Sequence, residues 1–582
     1  MEKEELARQN QLRDEILKAV LRSDVIRAEV QPRITRGDDL ESILETVQEL
    51  SRRGQDEKSS SKEPLAPAEM MEYEMENIAN QAKASLFAKH KWTTVIDDLV
   101  LINHLFELYF TWVHPIHMLF SESLFREGFQ SDRTGGYCTS ALVNVICAVA
   151  CDFLQSPAGD EAGAAYPDID EMRESLAVEG RALIKSQDEV ELTRIQAIAV
   201  LALSESNAGQ GSRAASLIKL ASIELLRATP HVSAQDDVWE ISSWGILSLK
   251  IAWAEFTYED DDMLRLPNAR ILNNVRSNAK ERPWRFYRQQ ADDSLPSRPS
   301  LAILLSSEFA RFLQIIQDTN AFYYTNRAAK VTAKEVLSQH VRKMAWKTAL
   351  PHAISEIGED LPSLPHTFFL HIHYHTAIVQ LFRPLVPVEA DTKGEMRPSP
   401  RALCLESARI GRHLLEQYRN LYTFRLQSRL QVLCMVHICD CLVRFGTRSE
   451  AEDAASFCMR ALDESGPSHG VCGPLQELFR HMVVQSGIEL AVPATDAASN
   501  TTSFTLDEIM DACTRLTYAQ PVEQVRRRLS PEFIEKWNEE SMQLNSPTDV
   551  TLADEQRRRS TASAEMERER ERSMGISSIL NQ

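Results

Sequence analysis

Glycine is scarce in this chain, at 20 residues in 582. A many-stranded protein turns often and needs a residue free of Cβ at many of those turns, so a β-rich architecture is not expected. No run of 18 apolar residues occurs and the first residues hold no apolar signal core, so neither membrane insertion nor secretion is expected. GxSxG, GxxxxGK[ST] and a GxGxxG following a strand are all missing, which leaves an enzyme reading without positive support. The ten cysteines lack framework spacing. Cys147 and Cys151, and Cys434, Cys439 and Cys441, sit among apolar helical residues and read as buried thiols of a reducing compartment. Cys138 or Cys151 could be paired with a histidine on paper, but ten cysteines and 15 histidines make such pairings uninformative. Basic charge is outweighed, and the net charge of −20 argues against non-specific nucleic-acid binding by the chain as a whole, since phosphate is repelled by an acidic surface.

What is present is helix. Hydrophobic residues make up 43% and charged residues 25%, and the apolar positions recur with a 3.6-residue period. The fold class read from this is all-α, a large multi-helix core with array-like helical pairs and no substantial sheet. Its centre is Leu364–Val386, LPHTFFLHIHYHTAIVQLFRPLV. Leu370, Tyr374, Ile378 and Leu381 form one stripe, and Phe369, Ile372, Val379 and Phe382 form a second, so the helix belongs inside the core. Thr367 is read as its cap, and Pro384 as its stop, by biasing Arg383 away from helical angles. About 16 residues span about 24 Å, too short and too histidine-rich for a membrane crossing.

Residues 1–50 read as charged helix with narrow apolar stripes, suited to pairing rather than to a core. Residues 51–91 read as a Ser-, Pro- and charge-rich linker. The packed region runs from 92 to 490. It begins with amphipathic Val95–Phe110, stopped at Pro115, a short element Ile116–Phe129, and nearly all-apolar Tyr137–Leu154. The helical pairs Met172–Ser186, Glu191–Ser204, Arg213–Arg227 and Val238–Phe256 follow, stacked in tetratricopeptide style without a clean repeat. Residues 259–300 read as a long, polar, proline-containing and flexible insertion, partly ordered at best. Helices resume at Leu301–Thr325 and Thr332–Trp346, then after the central stretch at Ala402–Tyr418, Phe424–Phe445, Ala454–Leu462 and Leu475–Val484. From 491 to 582 the chain reads as a mostly disordered tail, with short helices at Phe504–Leu516 and Pro531–Glu539.

Few residues there carry chemistry. His371 and His375 share a helical face while His373 points away, and no HExxH or third ligand accompanies them. A hydrogen-bonded structural role for these imidazoles and for His366 therefore outweighs a metal site. The Trp112-Val113-His114-Pro115-Ile116-His117 cluster has the same explanation. Arg526-Arg527-Arg528 and Arg557-Arg558-Arg559 suit nuclear import or an acidic partner, and equally a solvated face. The stretch SFTLDEIMDACTRL mixes acidic and apolar residues as activation segments do. Asp260–Asp262, the one acidic triplet that an isoprenoid-type enzyme could use, lies in a polar loop. No catalytic, cofactor-binding or metal-binding residue is assigned.

Taken in order, FTWVHPIHMLFSESLFREGF (Phe110–Phe129), YCTSALVNVICAVACDFL (Tyr137–Leu154) and TFFLHIHYHTAIVQLFRPLV (Thr367–Val386) resemble the regulatory middle-homology region of fungal zinc binuclear cluster transcription factors. Tyr109-Phe110 with His114-Pro115 resembles the family's entry motif. His371, Tyr374 and Leu381–Pro384 resemble its "LH..Y…LxRP" helix, and Cys404–Tyr418 the segment after it. The nitrate-assimilation and xylanolytic-activator branch is the most similar in flavour, over residues 92–445. The departure is the zinc cluster. The family's six N-terminal cysteines hold two zinc ions and read DNA, whereas the first cysteine here is Cys138. The resemblance implies a nuclear regulator of RNA polymerase II transcription, shuttling with the cytoplasm, without a cofactor of its own and without enzymatic activity. Implied partners are a second copy or other regulators, the transcription machinery, a small-molecule inducer, and DNA through a zinc cluster that is missing here or held by a partner. A truncated gene or a cluster-less family member would each explain the missing cysteines. The rival expectation is a non-enzymatic α-helical scaffold unrelated to transcription.

Overall fold

Several helices start where the sequence supplies an oxygen to receive the free N–H groups of the first turn. Asp98 caps Val100, Thr139 caps Leu142, Ser399 caps Ala402 and Ser428 caps Gln431. Thr332 with Glu335, and Thr447 with Glu450, form reciprocal capping boxes. In the computed structural model, the residues described are 92–131, 136–154, 168–187, 191–228, 236–257, 281–287, 297–325, 330–358, 363–390, 396–488 and 525–544. All fall in the unit Ile78–Gln582. The readings of residues 1–91, Phe504–Leu516, Asp260–Asp262 and Arg557–Arg559 lie outside them.

The helices are α1 (Leu99–Trp112), α2 (Glu122–Gln130), α3 (Ser140–Cys151), α4 (Ile169–Ser186), α5 (Leu192–Asn207), α6 (Gly211–Arg227), α7 (Asp236–Thr257), α8 (Ala302–Asn320), α9 (Ala333–Thr348), α10 (Pro365–Phe382), α11 (Pro400–Tyr422), α12 (Arg429–Phe445), α13 (Arg448–Ser465), α14 (Cys472–Gln485) and α15 (Phe533–Leu544). Single helical turns lie between several of them. The fold is all-α. Among the described residues there is no strand, only isolated bridges pairing Trp284 with Arg298 and Val331 with Leu529. No described helix is long and apolar enough to cross a membrane.

Packing follows sequence order in the first half, as expected for an array. Helix α3 lies against α1, α4 and α5, α5 against α6 and α7, and α7 passes the chain to α8. In the second half α10 is central, touching α8, α9, α11 and α12, with α13 and α14 layered onto α12. Both apolar stripes of α10 are buried, and of its residues only Gln380 is not. Two details differ from the sequence reading. The helix begins at Pro365 behind Leu364, because proline at the first helical position loses no hydrogen bond there, so Thr367 lies inside it. The α-helix ends at Phe382, but Arg383 keeps helical angles, φ −50° and ψ −42°, and Pro384 enters a 3-10 turn. Complete burial of Arg383, Pro384 and Leu385 overrides the local bias.

Two segments expected to be loose contribute to the core. At the end of the 259–300 insertion, Trp284 and Phe286 are buried against Trp112 and Tyr422. In the expected tail, α15 packs on α9, and Trp537 is 0% exposed. Its indole N–H donates to the Pro398 carbonyl at 3.0 Å and its ring meets Phe382. Arg528, from the Arg526–Arg528 cluster, donates to the carbonyls of Phe322 and Tyr323 in the π-helical turn after α8.

Gly245 of α7 marks the tightest backbone approach. A Cβ there would sit 2.1 Å from the Met118 carbonyl oxygen, so α7 can lie on the 118–119 backbone only as glycine. Gly245→Ala is therefore expected to lose about 1–3 kcal/mol or more through overpacking, despite the better helix propensity of alanine. Gly466→Ala, whose Cβ would meet nothing nearer than 3.4 Å, serves as the control. Urea midpoints of the two variants check this; equal midpoints would contradict the close approach.

Candidate functional site

The histidines of α10 were the first candidates, and each that has a partner is held as a structural group. His371 Nδ1 receives Lys347 Nζ at 2.5 Å, and its Nε2–H donates to the Ile354 carbonyl at 2.9 Å, the arrangement of a neutral ring. His373 Nε2 pairs with Glu255 Oε2 at 2.6 Å, both side chains being fully buried. His366 Nε2 meets the Ser300 carbonyl at 2.7 Å. His375 faces Gly411 and stacks edge-on with Tyr374. Among the described residues no group of three or more His, Cys, Asp or Glu is placed to hold a metal ion. The nine described cysteines are all buried, and burial pushes the Cys434 and Cys147 thiols well up, away from the thiolate that zinc or a nucleophile requires. The chain's described residues thus do not fit a zinc cluster.

Elsewhere the helices leave a cavity. It lies where the ends of α1, α3, α5 and α7 and the middle of α6 meet the start of α12, and its empty volume is about 720 Å³, counting space open to solvent. Trp112, Phe153, Trp253 and Phe256 supply aromatic walls, and Val149, Ala202, Leu203, Leu249 and Leu433 supply aliphatic ones. The polar lining is His117, Ser206, Asn207, Ser428, Arg429 and His469, with no Asp or Glu among the lining residues.

Each polar group has a traceable origin. Arg429 is the first residue of α12, capped by Ser428, and its guanidinium donates to Ser206 Oγ and lies over the Trp253 ring at 4.7 Å. It is 7% exposed, so a full positive charge is held almost out of water. The free N–H groups at the start of α12 add to the same potential. Asn207 is oriented by Asp152, whose Oδ2 accepts its amide at 2.7 Å, while Arg173 holds the other oxygen at 3.3 Å. Burial nevertheless pushes the Asp152 carboxyl up to about 7. His469 gives its Nε2–H to the Gln427 carbonyl at 2.8 Å, which leaves Nδ1 as a buried acceptor without a donor. His117 is 8% exposed and its imidazole makes no hydrogen bond among the described residues. Burial holds both imidazoles down to about 4, so both are neutral at pH 7.

The sequence pointed to part of this site. The cluster around Trp112 and His117 stood out, but as core. Arg429 and His469 were not singled out. An arginine opening an otherwise apolar helix, in RLQVLCMVHICD, was the available signal for the first; His469, in a turn, offered none.

A helical core of this kind, with this cavity, has homologues that are fungal transcription factors, as the ordered motifs implied. The chain is 24% identical over 355 residues to the nitrogen assimilation transcription factor nirA of Emericella nidulans, covering 58% of this chain and 39% of that protein. It is 24% identical over 369 residues to the nitrogen assimilation transcription factor nit-4 of Neurospora crassa, covering 60% and 33%. A third relative, the notoamide biosynthesis transcriptional activator notL' of Aspergillus versicolor, is 22% identical over 410 residues, covering 66% and 62%. The chain therefore spans only about a third to two fifths of the two nitrogen regulators. No protein-family model matches it, and no solved structure does.

Acid should unfold this core early. Burial holds His114, His117, His340, His366, His371 and His469 down to about 4, and His375 to about 3. Between about pH 6.5 and 4 the unfolded chain takes up these protons and the folded chain does not. Stability is then lost as pH falls, at about 1.4 kcal/mol per pH unit for each group. Asp152 opposes this over the same range, being already protonated when folded, but it is one group against several. Melting temperatures measured from pH 7.5 to 4.5 should fall steeply below 6.5; a flat profile would contradict neutral buried imidazoles.

Proposed function

We propose that this chain is the regulatory region of a nuclear transcription regulator, acting on transcription by RNA polymerase II and controlled by a small molecule in the α1–α12 junction cavity. The observation that carries the reading is that cavity, in a helical core whose homologues are transcription factors. Its walls come from helices of both halves, so a ligand binding one arrangement of these helices more tightly shifts the population toward it. The chain acts without enzymatic chemistry, as a homodimer or with partner regulators and the transcription machinery. It reaches DNA through a zinc cluster that this sequence lacks or that a partner supplies. Transcription-factor homologues favour this over an unrelated scaffold.

The test is a reporter assay with the full chain fused to a heterologous DNA-binding domain. The fusion should change reporter output severalfold relative to the DNA-binding domain alone. Ala202→Leu, which adds bulk to the cavity wall at a cost of about 1–3 kcal/mol, should shift that output while circular dichroism remains that of the parent. Output equal to the DNA-binding domain alone for both fusions would favour the scaffold. A response unmoved by Ala202→Leu would detach regulation from the cavity.

A further inference from the structure

The cavity has an asymmetric chemistry. Its walls are four aromatic rings and several aliphatic side chains, and the one formal charge in the lining is the Arg429 guanidinium, which donates to Ser206 and lies over Trp253. The start of α12 brings Arg429 and Ser428 to the same end, so the helix's free N–H groups reinforce the positive potential there. An anion arriving in the cavity would gain a charge-assisted hydrogen bond to this guanidinium in a low-dielectric setting. His117 and His469 add an imidazole without a hydrogen bond and a buried acceptor without a donor. Neither carries charge at neutral pH, so neither repels an anion, and each can meet a polar substituent on the ligand body. The aromatic walls favour a flat ring over a linear chain, since rings present stacking and edge contacts to Trp112, Trp253 and Phe153.

We infer that the junction cavity binds a small organic monoanion, a carboxylate carried on an aromatic or alicyclic body, with the carboxylate on Arg429 and the body against Trp112, Phe153 and Trp253. This rests on the effector-cavity reading given above and specifies the ligand class. A cationic ligand would meet Arg429 without any acid to receive it. A neutral one would leave the charge-assisted bond unmade.

Isothermal titration of the full chain with four probes tests the inference: naphthalene-2-carboxylate, 2-naphthylmethanol, 2-naphthylmethylamine and octanoate. The acid should bind roughly 10- to 100-fold more tightly than the alcohol, the amine should not bind, and octanoate should bind more weakly than the naphthoate. Arg429→Gln should bring the acid down to the level of the alcohol and leave the alcohol unchanged; Arg429→Lys, which keeps the charge, should retain the acid's preference even if the glutamine variant misfolds. Alcohol binding as tightly as acid, or octanoate binding best, overturns the ligand class and leaves the effector cavity standing. Acid binding that survives Arg429→Gln removes Arg429 as the selecting group. Silence of all four probes overturns the ligand class and the effector cavity together.

Discussion

The structure depends on burying a helix that carries four histidines. An imidazole out of water needs a hydrogen-bond partner at each nitrogen that it can satisfy, and α10 has solvent on almost none of its surface. The partners come from elsewhere in the chain: Glu255 of α7, Lys347 of α9, the Ile354 carbonyl and the Ser300 carbonyl. Each of these bonds fixes an element relative to α10. Arg383, just beyond the helix, does the same for α12 by donating to His437 at 3.0 Å, and Tyr323 donates to the Leu381 carbonyl at 2.7 Å. Apolar packing alone would tolerate a helix sliding by a turn; these polar pairs do not, because a displaced partner would leave a buried charge or donor unmet.

That arrangement places the cavity. With α7 tied to α10 through Glu255 and α12 tied through Arg383, the end of α7 and the start of α12 lie with α5 and α6 around a space that no side chain fills. Ala202 and Leu203 line it from α5 beside Ser206 and Asn207, and the large rings are Trp112 of α1, Phe153 just past α3, and Trp253 and Phe256 of α7. Pre-formed apolar space next to a fixed charge suits recognition of a partner molecule better than it suits stability. It also lies between elements read as a stacking array and elements packed around α10, so occupancy there bears on both.

Much of the helical content was legible because period and caps agree. The spacing in Met172–Ser186 or Thr332–Trp346 is local information, and the helices found, Ile169–Ser186 and Ala333–Thr348, differ by only a few residues. The central rod was legible for the same reason, as two apolar stripes cannot both face inward unless the helix is enclosed. What escaped was set by distant neighbours. Pro384 does not end the helical path because Arg383 is held by His437; Trp284 and Trp537, in polar sequence, are core because Trp112, Tyr422 and Phe382 await them. The cavity was illegible for the strongest form of that reason. Its lining comes from six helices and the turns beside them, and Arg429 is distinguished only by what lies opposite it. The order of motifs, by contrast, pointed to transcription-factor relatives without any geometry.

The return of residues 525–544 to α9 has a consequence for how the chain is made. Helix α9 and the π-helical turn before it leave the ribosome about two hundred residues before Arg528 and Trp537 can reach them, a delay of roughly 10–40 seconds at ordinary rates of synthesis. Through that interval Phe382 and its surroundings lack their cover, and the carbonyls of Phe322 and Tyr323 lack the Arg528 guanidinium. Nascent chains are thus most exposed to chaperones and proteases late in translation. A premature stop before Val525 would strand the protein in that uncovered state, so messages cut short near the 3′ end should yield a product that quality control removes.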